Sequence, residues 1–290
     1  MSTCKSGTTA QYVGRFAPSP TGPLHAGSLV AALASYLDAR HYAGRWLLRI
    51  DDIDPPRSSP GADELIPQAL RAHGLDWDGH ILRQSESSDL YDRALTQLIN
   101  ADLAFYCTCT RRRLGPSGCC MADCANQNHS TDDSSLRVRV PPDTLIEFHD
   151  RFMGLQRYPL GEHLPNFIIR RRDGLYAYQL AAAVDDGDGL ITDVVRGADL
   201  LPSTPRQIYL QRLLGLATPR YAHVPVVCGS DGEKLSKQTG AQPLEAANAR
   251  HNLLAALAFL AQEQPPEIGQ SMAEMVDWSV THWDPERLIR

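Results

Sequence analysis

Short apolar runs alternate with longer amphipathic stretches through the first hundred residues of the chain. The runs at 12–16 and 46–50 are largely apolar and β-prone, as expected for buried strands. The stretches at 29–37, 65–73 and 90–101 have the length and spacing of helices. This alternation predicts a βα-type first half built on a parallel sheet.

Strand patterns return after residue 135, and Asp173-Gly174 is typical of a tight turn between two of them. A helix is predicted over 203–214, with Ser203 or Thr204 as its N-cap and Pro205 at its start. One further helical stretch, at 251–262, lies near the C-terminus. The strands predicted in this half are 136–140, 167–171, 175–180 and 191–195.

The stretch 107–135 interrupts this alternation of predicted strands and helices. It is rich in Cys, Gly, Ser, Asn and Asp and has little apolar periodicity, which predicts an insertion without an apolar core of its own. The chain is therefore expected to divide into a first half of a split α/β fold at 12–106, the insertion at 107–135, the second half at 136–241 and a C-terminal helical segment at 242–290.

Composition excludes several classes of protein. With 290 residues, 43% of them hydrophobic, the chain can bury a substantial core. No apolar run approaches the length of a membrane span and the N-terminus lacks a signal-peptide core, so we expect a cytoplasmic protein without a membrane partner. The net charge of −6 argues against nonspecific nucleic-acid binding. An RNA partner would need a local basic surface, for which 111–113 and 170–172 are candidates, although solvated arginines are an equal interpretation.

A Pro/Gly-rich turn, Pro18-Ser-Pro-Thr-Gly-Pro-Leu-His-Ala-Gly-Ser28, joins the first predicted strand to the first predicted helix. A helix N-terminus presents unpaired N–H groups and a partial positive charge, which favour phosphate. His25, Gly27 and Ser28 lie at this N-terminus. Taken alone, such a turn more often only connects a strand to a helix and binds no ligand.

A second motif, Lys234-Leu-Ser-Lys-Gln238, lies far downstream in a Gly/Ser/Asp-rich segment that is typical of a loop. The ammonium groups of Lys234 and Lys237 would close over a phosphorus centre as negative charge develops on it. Taken alone, the two lysines are more often a solvated pair. Together, the turn and the lysine motif predict an ATP site.

Seven cysteines occur, and five of them lie within 107–124. Thiolates are tight tetrahedral zinc ligands, and a loop-rich insertion gains folding free energy from such a site. The pairs Cys107-x-Cys109 and Cys120-x3-Cys124 supply four sulfurs, although the one-residue gap in the first pair departs from the usual zinc-finger spacing. Cys119 is an alternative to Cys120. Metal-free thiols and disulfides are the other interpretations.

The two phosphate motifs resemble the HIGH-like and KMSKS-like signatures of class I aminoacyl-tRNA synthetases. Three further segments, Gly14-Arg-Phe-Ala-Pro-Ser-Pro-Thr-Gly, Arg49-Ile-Asp-Asp-Ile-Asp-Pro-Pro-Arg57 and Val195-Arg-Gly-Ala-Asp199, are similar to the catalytic core of the glutamyl-tRNA synthetases. The 52 residues after the lysine motif, 239–290, are too few for the anticodon-binding domains of those enzymes. The chain therefore resembles their truncated paralogues, the glutamyl-queuosine tRNA(Asp) synthetases.

The resemblance implies a class I synthetase-type, Rossmann-like α/β fold with a parallel sheet, split by a zinc-bearing insertion and followed by a short helical C-terminal segment. It implies ATP-dependent activation of L-glutamate, in which the carboxylate attacks the α-phosphorus and expels pyrophosphate. Such a step needs positioning and charge stabilisation rather than a protein nucleophile. Ser28 replaces the second histidine of the family signature. The implied contributors, besides ATP-bound magnesium, are His25, Ser28, Lys234 and Lys237.

A glutamate pocket follows from the same resemblance. Arg15 would bind the side-chain carboxylate and Asp51 the ammonium group, although the family more often has a glutamate at position 51. Asp51 in a solvated turn and Arg196 in a structural ion pair are the alternatives. The acidic residues at 185–188 are interpreted as a solvated turn. The implied pocket comprises Arg15, Phe16, Ala17, Pro18, Ser19, Asp51, Tyr178 and Arg196.

The resemblance also implies the acceptor and the metal. Glutamate activation would need no tRNA, and glutamate would then pass to the queuosine base in the wobble position of tRNA(Asp). The implied enzyme is a monomer with one structural zinc ion, and its ligands are Cys107, Cys109, Cys120 and Cys124. The alternatives are a glutamyl-tRNA synthetase that charges the 3′ end of tRNA(Glu), a small-metabolite nucleotidyltransferase, and a non-catalytic zinc-containing RNA-binding paralogue.

Overall fold

The computed structural model describes residues 11–114, 120, 123–127, 129–163, 166–229, 242–266 and 271–289. The strands in these ranges are β1 (Val13–Phe16), β2 (Arg45–Ile50), β3 (Leu82–Arg83), β4 (Ala104–Cys107), β5 (Ser135–Val138), β6 (Leu145–Asp150), β7 (Gly154–Pro159), β8 (Ile168–Arg170), β9 (Asp193–Gly197) and β10 (Arg220–Val224).

The α-helices of the same ranges alternate with these strands. Within the described part of the chain, no helix combines the length and hydropathy that a membrane span requires. The helices are α1 (Ala26–His41), α2 (Ala62–Ala72), α3 (Ser88–Asn100), α4 (Arg111–Leu114), α5 (Leu160–His163), α6 (Tyr178–Gly187), α7 (Thr204–Leu214), α8 (Ala249–Phe259) and α9 (Met272–Thr281).

A parallel sheet forms the centre of the molecule, which confirms the predicted fold class. Strand β1 pairs in parallel with β2, β2 with β3, and β9 with β10. The backbone N–H of Thr192 donates to the carbonyl of Val13 at 3.0 Å, and Thr192 Oγ1 accepts from the N–H of Val13 at 2.8 Å. These bonds place β9 beside β1, so the strand order is β3-β2-β1-β9-β10.

Both faces of this sheet are covered, which explains why its strands are nearly continuous apolar runs. On one face, Trp46 and Leu48 of β2 pack in a core around α1, together with residues of α8 and α9. On the other face, Leu47 packs in a second core with residues of α3, α6 and α7. Alternate residues of one strand thus enter opposite cores, as the period of two requires.

An antiparallel sheet, ordered β4-β5-β8, follows the first half of the parallel sheet. The cysteine-rich stretch leaves the end of β4 at Cys107 and returns at the start of β5, opposite Ser135. It is therefore the connection between two paired strands. The hairpin β6–β7, which no sequence pattern predicted, comes next in the chain.

The carboxylate of Asp38 ties three distant segments to α1. It is fully buried and accepts hydrogen bonds from the Tyr12 hydroxyl, from both terminal nitrogens of Arg151 and from Trp283 Nε1 at 3.2 Å. The pKa of Tyr12 is raised by burial and by the adjacent Asp38. The start of β1, the β6–β7 hairpin and the C-terminal segment are thus held to the helix that begins at the Pro/Gly-rich turn.

One detail of the sequence prediction is wrong. No strand forms within 175–180, because Tyr176 makes only an isolated β-bridge with Arg170 and α6 begins at Tyr178, where it packs against α7. The apolar residues of this stretch are buried in the second core as part of a helix, and a short apolar run does not by itself distinguish the two structures. Ser203 is the N-cap residue of α7, as predicted, although its side chain makes no capping hydrogen bond. Its Oγ accepts instead from Gln179 Nε2 at 3.0 Å.

Candidate functional site

A cavity of about 610 Å³ opens at the carboxyl ends of the central parallel strands. Its lining comes from the residues that end or directly follow β1, β2, β9 and β10, and from the first turns of α1 and α6. Ligands of open parallel sheets bind at this edge, where the connections of neighbouring strands diverge. The fold thus brings together motifs that are far apart in the sequence.

Eleven residues that were predicted to bind glutamate or ATP line this one cavity. Lys234 and Lys237 lie outside the described residues, and so does Cys119. The eleven are Arg15, Phe16, Ala17, Pro18, Ser19, His25, Gly27, Ser28, Asp51, Tyr178 and Arg196.

Of the described residues on either side of the lysine motif, those before it line the same cavity and those after it contact residues that line it. Pro225 and Val226, which follow β10, line it. Pro243 forms an isolated β-bridge with His25, and the N–H of Leu244 donates to the carbonyl of Leu24 at 2.8 Å. The chain therefore leaves and re-enters the described structure beside the Pro/Gly-rich turn.

His25 is the N-cap of α1. Its Nδ1 accepts a hydrogen bond from the backbone N–H of Ser28 at 3.3 Å. A neutral imidazole that accepts at Nδ1 carries its proton on Nε2, so this bond selects the tautomer. The turn thus presents an oriented imidazole at the positive end of a 16-residue helix.

A buried charge network connects the cavity to α6. Asp186, which is 1% exposed, accepts from Arg15 Nε at 3.1 Å and Arg15 Nη2 at 2.9 Å, and also from Arg49 Nη1 at 2.7 Å. Arg49 Nε donates in turn to Asp51 Oδ1 at 2.7 Å and lies 3.7 Å from Asp185 Oδ2. Two arginines are therefore paired with three aspartates.

The interpretation of 185–188 as a solvated turn is wrong for its first two residues. Burial raises the pKa of Asp185 to about 6, and the nearby Asp51 adds to this effect while Arg49 opposes it. Burial also acts on Asp186, but the guanidinium groups of Arg15 and Arg49 outweigh it and hold the pKa of that carboxyl well below its usual range. Neither pairing was visible in the sequence, because 171 and 137 positions separate Asp186 from its two arginines.

Arg196 is held differently, because its partners are neutral. Its Nη2 donates to Thr204 Oγ1 and to Gln207 Oε1, both at 2.8 Å, and its Nε donates to His223 Nε2 at 3.1 Å. Its Nη1 is buried and has no hydrogen-bond partner among the described residues. Arg196 therefore brings to the cavity wall a positive charge that no described carboxylate pairs with, and a donor nitrogen that has no described partner.

His223 fixes the orientation of Arg196. Its Nδ1 lies 2.5 Å from Asp150 Oδ2, so the proton resides on Nδ1 and Nε2 is free to accept from the guanidinium. Burial lowers the pKa of His223, and the charge of Arg196 lowers it further. The imidazole therefore stays neutral beside the cation that it positions.

Two charged residues of the cavity had been given no role from the sequence. Arg57 and Asp199 both line it, each at the end of a segment that carried the family resemblance. A Cβ on Gly197 would meet Asp199 Oδ1 at 2.4 Å, so a larger residue at this position would displace the carboxylate. The position of each residue at the end of such a segment is the sequence feature that could have identified it.

Four buried sulfurs form a second candidate site. The Sγ atoms of Cys107, Cys109, Cys120 and Cys124 all lie within 4.8 Å of one another, with Cys109 at 3.7 Å from Cys120 and 3.6 Å from Cys124. A tetrahedron with metal–sulfur bonds of about 2.3 Å has edges of about 3.8 Å. The five described cysteines are free thiols. The donor set and its spacing therefore fit one metal ion.

The basic runs proposed for RNA flank this cluster. Arg172 Nη2 donates to the carbonyl of Thr108 at 2.7 Å, which ties the hairpin after β8 to the cysteine segment. Arg112, Arg113 and Arg170 are exposed, whereas Arg171 is bound to Asp54 and Asp173. Part of each run is thus available to an anionic partner.

The sequence as a whole was compared with known proteins. A profile of the tRNA synthetases class I (E and Q), catalytic domain, matches residues 11–257. The glutamyl-Q tRNA(Asp) synthetase of Pseudomonas fluorescens is 51% identical over 285 residues, which cover 98% of this chain and 95% of that protein. The protein of the same name from Pseudomonas aeruginosa is 50% identical, with 97% of both chains covered.

Solved structures agree with this similarity. A glutamate tRNA ligase from Elizabethkingia meningosepticum, in complex with its amino acid, superposes with a TM-score of 0.75 at 26% identity. The match covers 97% of this chain and 66% of that ligase, so the chain spans about two thirds of its length. A methionyl-tRNA synthetase from Mycobacterium tuberculosis, at 12% identity and a TM-score of 0.59, shares the fold.

The raised pKa of Asp185 predicts a pH-dependent stability. The folded protein holds this proton up to about pH 6, whereas the unfolded chain releases it near 3.8. The stabilisation that protonated Asp185 contributes is therefore complete below pH 3.8 and is lost as the pH rises through about 6. The Asp185→Asn variant has no carboxyl group at this position, so it does not show this loss. We expect its free energy of unfolding, relative to the wild type, to increase by about 2–3 kcal/mol between pH 4 and pH 7 in urea titrations.

Asp188→Asn, at an exposed position on the same helix end, is the matched control and should follow the wild-type pH profile. Parallel profiles for Asp185→Asn and the wild type would contradict the assignment.

Proposed function

Because the chain belongs to the family of glutamyl-Q tRNA(Asp) synthetases, we propose that it activates L-glutamate with ATP, without tRNA, and transfers the glutamate to queuosine in tRNA(Asp). The observation that carries this proposal is the state of Arg196. A buried guanidinium with neutral partners and an unpaired Nη1 on a cavity wall fits a ligand carboxylate. Arg15 already pairs with Asp186, so Arg196 is the cation we assign to the side-chain carboxylate, with Arg15 beside it.

The ammonium group of glutamate would bind at Asp51. This carboxylate lies on the cavity wall at the end of β2 and is held by Arg49. Burial raises the pKa of Asp51, and a bound ammonium group would oppose that rise by stabilising the charged form. Arg196 and Asp51 therefore supply opposite charges for the two ends of one amino acid.

ATP would occupy the part of the cavity next to α1. Its phosphates would meet the N-terminal turn of that helix, where Gly27 leaves room for close approach and His25 presents its Nε2 proton. Lys234 and Lys237 belong to this proposal as the cations that stabilise the α-phosphorus during attack by the glutamate carboxylate. Magnesium would accompany the ATP. Pyrophosphate leaves, and a glutamyl-adenylate remains.

In the second step a hydroxyl oxygen of queuosine attacks the carbonyl carbon of the adenylate. The bond from that carbon to the phosphate oxygen breaks, and AMP departs with the electron pair. The hydroxyl proton passes to a phosphate oxygen of the departing AMP, so the products are AMP and an ester. A tRNA substrate and reduced cysteines both suit a cytoplasmic enzyme.

The four-cysteine cluster would hold zinc. The four thiolates match the tetrahedral preference of this ion, and a bound zinc ion would cross-link the segment between β4 and β5. Phe105 of β4 packs against the sulfurs, so the ion would fix the insertion to the antiparallel sheet. Its role is then structural.

The activity is tested by two assays with the purified protein. We expect ATP–pyrophosphate exchange with glutamate and ATP alone, and transfer of labelled glutamate to tRNA(Asp) that carries queuosine but to no queuosine-free tRNA. Exchange that requires tRNA, or charging of the 3′ end of tRNA(Glu), would contradict the proposal.

Arg196→Gln tests the pocket within the same exchange assay. Loss of a charge-assisted hydrogen bond worth about 1.5–3 kcal/mol should raise the KM for glutamate by about 10- to 100-fold and leave the KM for ATP nearly unchanged. The control is Arg220→Gln at the start of β10, where the side chain is 64% exposed and lies outside the cavity. Equal effects of the two substitutions would refute the assignment of Arg196.

Metal content tests the cysteine cluster. We expect about one zinc ion per purified chain by elemental analysis, and its loss in Cys124→Ser together with a lower unfolding temperature. Cys228→Ser, which removes an exposed thiol outside the cluster, should keep the metal. Stoichiometric zinc in Cys124→Ser would show that this sulfur is not a ligand.

A further inference from the structure

A second, smaller cavity of about 230 Å³ adjoins the first. The two share part of their walls, including Asp51, which is proposed to hold the glutamate ammonium group. The residues that line both are Ser19, Thr21, Asp51, Arg57 and Tyr178.

Two residues that line the smaller cavity carry buried acceptor atoms with no hydrogen-bond partner among the described residues. Asp54 Oδ2 accepts from Arg57 Nε at 2.6 Å and from Arg171 Nη1 at 3.0 Å, whereas its Oδ1 is buried without a partner. Gln84 is fully buried, and its Nε2 donates to Asp185 at 2.6 Å. Because a carboxylate can only accept, this bond fixes the amide orientation and leaves Gln84 Oε1 unpaired.

The remaining wall of the smaller cavity is rigid and partly apolar. Tyr176 packs edge-on against Tyr91 with ring centroids 5.0 Å apart, and its hydroxyl donates to the carbonyl of Ser88 at 3.3 Å. Ile168 of β8 lies on the same lining. A buried acceptor without a donor costs about 1–3 kcal/mol. The cavity therefore favours a small ring that carries several hydrogen-bond donors.

We propose that this smaller cavity receives the cyclopentene-diol end of queuosine, an inference that rests on the proposed function. The ring would lie against Tyr176. Its two hydroxyls and the adjacent secondary ammonium group are all donors, and they would meet Asp54 and Gln84. A side chain of this size suits a cavity below the roughly 300–1,000 Å³ of sites for drug-sized ligands.

The shared wall places this cavity at the reacting atom. Asp51 is assigned to the ammonium group, which is bonded to the same α-carbon as the carboxyl group that becomes activated. An acceptor hydroxyl that enters through the smaller cavity thus passes Asp51 and Tyr178 and comes close to the carbonyl carbon.

The mouth of the smaller cavity suits a nucleic-acid strand. Arg57 and Arg171, with side chains 69% and 34% exposed, both hold Asp54 from the solvent side. The exposed Arg170 precedes Arg171 in the chain. Guanidinium groups at the rim bind phosphates on either side of an inserted nucleoside, while the interior selects its side chain.

Asp54→Asn tests the assignment, because it keeps the shape of the side chain and removes its charge. Transfer is measured in a single turnover, from preformed glutamyl-adenylate to queuosine-containing tRNA(Asp), and activation is measured by pyrophosphate exchange. We expect the transfer rate to fall about 10- to 100-fold, while exchange stays within about twofold of the wild type. Asp173→Asn is the matched control, since Asp173 also binds Arg171, at 2.5 Å, but does not line the cavity. Both of its rates should be unchanged.

A small-molecule probe tests the acceptor cavity in the wild-type enzyme, so it does not depend on whether Asp54→Asn folds. Free queuosine nucleoside should inhibit the transfer step of the wild-type enzyme without inhibiting exchange, and guanosine should inhibit neither. An equal loss of exchange and transfer in Asp54→Asn, unchanged transfer in that variant, or no inhibition by the nucleoside would overturn the acceptor cavity. Absence of exchange in the wild type, or transfer to the 3′ end of tRNA, would instead refute the proposed function.

Discussion

The carboxylate of Asp186, shared between two buried arginines, is the interaction on which the cavity depends. Arg15 and Arg49 are the second-to-last residues of β1 and β2, so both guanidinium groups reach the same edge of the sheet as a consequence of parallel pairing. Removing two such charges from water is costly unless each finds a partner, and Asp186 on α6 binds both. The helix, the two strands and the floor of the cavity are therefore stabilised by one network.

This network determines which charges remain available to a ligand. Arg15 is neutralised by Asp186, whereas Arg196 is surrounded by Thr204, Gln207 and a neutral His223. The same buried edge thus holds one arginine with a counter-ion and one without. An uncompensated cation on one side and the Asp51 carboxylate on another give the cavity the polarity of a site for a zwitterion, and this polarity agrees with the glutamate named in the relatives.

Sequence reasoning was effective where a local pattern carries the information. The Pro/Gly-rich turn, the strand-to-helix alternation and the clustered cysteines are all local, and the structure brings the described members of each predicted group together. The pairings of Asp186, His223 and Gln84 could not be inferred, because each depends on which elements become neighbours in space. The acidic pair in the last turn of α6, Asp185 and Asp186, was misassigned for the same reason. Aspartates next to glycine usually indicate a solvated turn, and only tertiary packing buries them here.

Asp51 stands where the two cavities meet, and its position explains how a shorter side chain can serve in place of the family's more frequent glutamate. Its carboxylate is fixed by Arg49 at 2.7 Å, and Arg49 is fixed by Asp186. The location of the charge is thus set by the network behind it rather than by the length of its own side chain. Because this fixed carboxylate lines both cavities, the same residue can contact the amino acid during activation and lie beside the acceptor during transfer.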